Sequence, residues 1–164
     1  MYRQPTPAVN HGTQKLKDLV GSLRTCMFTE VQANGHLQSK PMTLLELDDD
    51  GVPWFMTSLE FIQHADWPVN ISFSDEGSNT YVSISGTAQA VQDRDRIHEL
   101  WGLYARPFFP EGPDSPDIVL IKVLPQQVEY WDGPSNALTR SASMLASVVA
   151  GRPVGMGEHG FIRT

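Results

Sequence analysis

From Thr25 onward the apolar residues of this chain stop recurring at helical spacing and begin to alternate, and that change of period limits the fold more than any other feature. Before it, Leu16, Leu19, Val20 and Leu23 stand at i, i+3, i+4 and i+7 and predict an amphipathic helix from near Thr13 to around Ser22. After it come Thr25–Val31, the Asn34-Gly35 dipeptide and Leu37–Leu47. These read as a hairpin, because Asn-Gly supplies the positive φ angles of a tight turn. Asp48-Asp49-Asp50-Gly51 predicts a second turn leading into Val52–Ser58.

Leu59–Trp67 predicts a short helix or irregular crossover ended by Pro68, then Val69–Ser74 a strand, Asp75–Asn79 a turn and Thr80–Val91 a long alternating strand. Asp93 caps a helix whose Ile97, Leu100, Trp101 and Tyr104 return to the helical period. Arg106–Pro116 is a Pro/Gly-rich loop carrying two Phe residues. Ile118–Val123 and Gln127–Trp131 complete seven predicted strands, Asn136–Ala150 is a final helix, and little pattern follows Gly151. The expected fold is mainly β (α+β): an antiparallel barrel or strongly curved sheet with flanking helices. The expected organisation is a flexible arm over 1–12, one domain over 13–150 and a tail over 151–164.

With 12 Lys+Arg against 19 Asp+Glu, the net charge is -7, which opposes nonspecific binding to nucleic acid or an anionic membrane. A nucleic-acid-binding barrel also lacks support, since no strand face interleaves basic and aromatic residues. No apolar run approaches the ~20 residues of a membrane span. The single cysteine, Cys26, excludes an intrachain disulfide and suits a reducing compartment, so the expected location is cytoplasmic.

His11, His36, His64, His98 and His159 are scattered, none at ligand spacing with another His or Cys, so no metal site is expected. The Asp48–Asp50 run lacks the alternating ligands and distal Glu of a calcium loop and reads as a hairpin tip. Ser83, Ser85, Ser141 and Ser143 have no nearby His, and Cys26 reads as inert core. The segment Ser39-Lys40-Pro41-Met42-Thr43 is different. A Pro inside a strand marks an edge, bulge or bend, and Lys40 beside it is either a phosphate partner or an edge charge that discourages aggregation. Trp54-Phe55-Met56-Thr57-Ser58 brings two hydroxyls to a strand end behind apolar side chains that can wall a flat aromatic ligand. Val128-Glu129-Tyr130-Trp131 reads on its own as core, with Trp131 directly before the Gly133-Pro134 turn.

Taken in order, S-K-P-M-T-L-L-E-L-D, W-F-M-T-S, V-N-I-S-F, Y-V-S-I-S-G-T-A and V-E-Y-W-D-G-P-S resemble the pyridoxamine-phosphate-oxidase-like flavoproteins, nearest the general stress protein 26 type. The similarity runs from about Leu16 to Leu145. The resemblance implies a split β-barrel of about six to seven strands, forming a homodimer with two FMN molecules (FAD being the alternative) between the subunits. Carried over by position, Lys40 matches the basic residue at the flavin phosphate. Pro41, Met42 and Thr43 match the strand along the flavin, and Met56, Thr57 and Ser58 the strand end contacting flavin and phosphate. Tyr81 matches a position at the cofactor from a neighbouring strand, and Trp131 the Trp that reaches it from the partner subunit.

Two departures qualify what is carried over. Relatives bear a phosphate-binding Lys or Arg-Lys after T-S, whereas residues 59–66 contain no Lys or Arg. The resemblance then implies weakened binding or substitution by Arg24 or His64. True pyridoxamine phosphate oxidases hold substrate with an Arg, a His and an Arg where this chain has Ala137, Thr139 and Ser141, with Arg140 offset by one position. Vitamin B6 chemistry is therefore not expected. The expected function is an FMN-binding split-barrel protein of the general stress type, either a weak flavin-dependent oxidoreductase or a non-catalytic flavin store, sensor or interaction module; no catalytic residue is assigned.

Overall fold

The computed structural model describes residues 11–134, 137–152 and 157–162. Its elements are α1 (His11–Val20), β1 (Thr25–Val31), β2 (Leu37–Thr43), β3 (Glu46–Leu47), β4 (Pro53–Ser58), β5 (Asp66–Asp75), β6 (Thr80–Val91), α2 (Arg94–Leu100), β7 (Ile118–Asp132), α3 (Ala137–Ala150) and β8 (Glu158–Ile162). A single 3-10 turn, Leu59–Phe61, follows β4. The strands form one antiparallel sheet in the order β2-β1-β5-β6-β7-β4-β3, with β8 paired to β7.

The sheet closes through one short segment. The predicted strand Leu37–Leu47 is broken, because β2 belongs to one end of the strand order and β3 to the other. Leu44 donates its amide to the Arg24 carbonyl at 2.7 Å, and the next amide, Leu45, goes to the Trp54 carbonyl at 2.9 Å. Two consecutive residues thus bond to opposite rims, and the sheet curls into a half-barrel. Inside it Phe28 and Phe55 meet edge to face at 5.9 Å, within a core that includes Leu16, Val20, Ile71, Ile84, Ile121 and Val128. Leu16 and Val20 are the buried stripe of α1, as the helical spacing predicts.

β7 is one strand of 15 residues rather than two. It runs through Pro125 because the β6–β7 register shifts between Ser85 and Gly86, which places Gly86 opposite Pro125. Its run Ile118-Val119-Leu120-Ile121 is buried throughout because both faces are covered. Ile121 packs into the barrel, while Ile118 and Leu120 join Ile97 and Phe109 in a smaller cluster under α2.

Three further boundaries move. Pro68 lies inside β5 rather than before it. β1 pairs with β5 only from Val69 onward, so the missing proline amide leaves no β1 bond unmade. The helix capped by Asp93, whose side chain accepts from the Arg96 amide at 3.1 Å, ends at Leu100, and Tyr104 falls in the turns that follow. The segment after Gly151, patternless as sequence, contributes β8. Among the described residues, no helix is long and apolar enough to cross a membrane.

Candidate flavin-type groove

β2 pairs only with β1 among the described residues, so its other edge is open, which is where Pro41 is tolerated. Facing that edge is the end of β4, held in place by pairing Met56, Thr57 and Ser58 with Leu120, Val119 and Ile118 of β7. Between them lies a groove of about 370 Å³ lined by Lys40, Pro41, Met42, Thr43, Leu45, Met56, Thr57, Ser58, Phe61, Tyr104, Ala105, Phe108 and Phe109. Seven of the nine residues singled out from sequence (Lys40 to Thr43 and Met56 to Ser58) therefore converge on one cavity. Most of its exposed lining is apolar, the composition of sites that bury a small organic ligand.

Thr43 and Ser58 close β2 and β4, and Lys40 stands at the middle of β2. Ser58 is extended (φ -83°, ψ 145°) at the start of the 3-10 turn and its side chain makes no capping hydrogen bond, so the hydroxyl is free for a ligand. Lys40 is engaged already: its Nζ lies 3.1 Å from Glu30 Oε1 and over the rings of Phe28 and Phe61, at 5.7 Å and 6.0 Å. No carboxylate, imidazole or thiol is among the described lining residues. Cys26 is sealed in the barrel, where burial pushes its thiol up to about 12 and keeps it protonated and unreactive at neutral pH.

The other two singled-out residues, Tyr81 and Trp131, do not line the groove. They face each other across β6 and β7, partly exposed. Trp131 is also stacked on His159 of β8, ring centroids 5.0 Å apart and planes 6° from parallel, and His159 Nε2 is 2.9 Å from Glu129. Of the two substitute cations, Arg24 lies 5.7 Å from the Tyr104 ring at the groove's margin, whereas His64 lies beyond Phe61, in a separate pocket with Trp67. The side chains of Ala137, Thr139, Arg140 and Ser141 lie outside the described residues.

The sequence reading missed Phe61 and the whole wall supplied by Tyr104, Ala105, Phe108 and Phe109. The available signal was the aromatic pair Phe108-Phe109 after Pro107, within the Pro/Gly-rich loop. Phe109 is buried and packs against Trp101 at 6.5 Å, which anchors the loop, while Tyr104 and Phe108 stay exposed. The Asp48–Asp50 turn is structural: Asp48 accepts from the amides of Asp50 and Val52 and from the Trp54 indole, at 3.0, 2.9 and 2.9 Å. Among the described residues there is no cluster fit to hold a metal ion.

A half-barrel with an apolar groove at its closure is the architecture of a split barrel. Residues 11–154 match the family described as pyridoxamine 5′-phosphate oxidase like, and the chain belongs to it. A protein described as general stress protein 26 from Jannaschia sp. CCS1 superposes with a TM-score of 0.74 at 23% identity, covering 93% of this chain and 98% of that one. The general stress FMN/FAD binding protein of Xanthomonas citri superposes with a TM-score of 0.64 at 25% identity, over 80% of this chain and 93% of its own. Protein bli-3 of Neurospora crassa is 26% identical over 157 residues, covering 85% of this chain and 75% of bli-3.

Proposed function

We propose that the protein binds a flavin in this groove as a homodimer of the general stress type. The observation that carries the reading is the convergence of Lys40–Thr43 and Met56–Ser58 on one apolar cavity. The ring system fits what is there. Met42, Leu45 and Met56 offer an apolar bed, the open edge of β2 offers backbone groups, and Thr57 and Ser58 offer hydroxyls to the polar end. Supporting it, the Xanthomonas citri relative is an FMN/FAD binding protein. Tyr81 and Trp131 would serve the partner's groove, and their partial exposure away from this groove agrees with that assignment. FMN is the favoured cofactor and FAD the alternative.

A bound flavin would supply the redox chemistry, accepting and passing on electrons; the protein would orient the ring, shield it with the Tyr104–Phe109 wall and exclude water. Two roles suit such a site, a flavin-dependent oxidoreductase and a non-catalytic flavin store or sensor. Titration of FMN into purified protein, followed by quenching of flavin fluorescence, tests the first claim; no binding at high micromolar FMN sinks it. Anaerobic mixing of the loaded protein with NADH or NADPH separates the two roles. Bleaching much faster than that of free flavin marks an oxidoreductase, and equal rates mark a binding module.

A further inference from the structure

The charge presented to a ligand at the Lys40 end of the groove is set by a residue outside it. Phe28 pairs with Lys40 and Glu30 with Gln38, so Glu30 and Lys40 are diagonal neighbours on the β1–β2 hairpin. Glu30 Oε1 takes a hydrogen bond from Lys40 Nζ at 3.1 Å, and Glu30 Oε2 takes one from the Trp67 indole at 3.0 Å. The Glu30 side chain is 16% exposed and that of Lys40 33%. With two aromatic rings also against it, the ammonium is held on three sides. Lys40 is the sole Lys or Arg among the described lining residues, and the adjoining 59–66 segment brings Glu60 and Asp66 but no Lys or Arg, its His64 lying in a separate pocket.

A phosphate arriving here meets a compensated ion pair, not a free cation. Drawing Lys40 away would leave a largely buried carboxylate with only the neutral donors Trp67 and Gln32, an unfavourable exchange for an ion that keeps its charge. We infer that Glu30 sets the charge class of the ligand: it withholds Lys40 from phosphate, so the groove selects a flavin by its ring system and discriminates little between phosphorylated and unphosphorylated forms. This inference rests on the flavin reading above.

Riboflavin and FMN titrated into wild type, Glu30→Gln and the double variant Glu30→Gln/Lys40→Met provide the test, read by flavin fluorescence at low salt. Gln keeps the acceptor for Trp67, and thermal unfolding verifies that each variant is folded. Wild type should hold the two flavins within about threefold of each other. Glu30→Gln should bind FMN about tenfold more tightly with riboflavin unchanged, the scale of one charge-assisted hydrogen bond. The double variant should return to the wild-type ratio. A wild-type preference for FMN beyond about thirtyfold, or a ratio unmoved by Glu30→Gln, overturns the inference while leaving flavin binding intact. Failure of wild type to bind either flavin overturns the flavin reading itself.

Discussion

Gly86 shows how closely one residue governs the long strands. A Cβ built at this position would stand 2.1 Å from the Leu124 carbonyl oxygen, a backbone atom that cannot swing aside. The approach exists because the β6–β7 register shifts there to carry β7 past Pro125. Gly86→Ala should therefore lower stability by about 3 kcal/mol, measured as a fall in the urea midpoint; a change below about 0.5 kcal/mol would contradict the geometry. As sequence, Gly86 is one residue of an alternating strand, and Pro125 falls between the predicted strands Ile118–Val123 and Gln127–Trp131. A register shift is a property of two strands together, so neither residue announces it alone. Lys40 is similar: its type and its place beside Pro41 were legible, but its commitment to Glu30 depends on which residues face each other across the hairpin.

At the scale of elements, β8 is the clearest surprise. It lies wholly beyond the residues that match the family, and it is held by contacts between elements far apart in the chain. Tyr130 donates to Glu158 at 2.5 Å, Lys15 of α1 donates to the same carboxylate at 3.2 Å, and Gly160 leaves the space that the Tyr130 ring occupies. A five-residue strand with no alternation of its own could not be read without these partners.

The same contacts predict a pH dependence. The Tyr130 hydroxyl, then Lys15, holds the Glu158 carboxyl below its ordinary range. That contribution is present above the ordinary carboxylate pKa and is lost as pH falls through the lowered value. Tyr130 is shifted upward, first by its bond to Glu158 and then by burial, so its contribution is present below the ordinary phenol pKa and is lost as pH rises through the raised one. Urea midpoints measured across pH should show both losses in wild type. Glu158→Gln should flatten the acid limb by removing that carboxylate, and an unchanged limb would contradict the linkage.

For the whole molecule, the sheet architecture and two segments of the groove were legible because alternation, turn residues and strand-end hydroxyls are local signals. The wall over the groove was not, because Tyr104 was counted as helix and the aromatic loop had no period to place it. Exposed apolar groups remain on the described surface: Met27, Tyr81, Trp131 and Phe161 on strands, and Met144, Leu145, Val148 and Val149 on α3. Such groups suit burial against a second copy. Light scattering should give the mass of a dimer, and Trp131→Ala should leave the thermal transition near wild type while weakening FMN binding about tenfold, the worth of one aromatic contact. A monomer that binds FMN as tightly as wild type would contradict the shared site.

Leu44 and Leu45, bonded to opposite rims, place the groove against the fastening of the barrel. Whatever fills it touches β2 on one side and β4 on the other, two strands that share no ladder. An occupant therefore works as a clasp across a seam that the backbone alone holds by few bonds. Hydrogen exchange at the amides of Leu44 and Leu45 should slow on loading with flavin, more than at amides inside the β5–β6 ladder. The cavity is then also a reporter: its filling is recorded in how often the barrel opens.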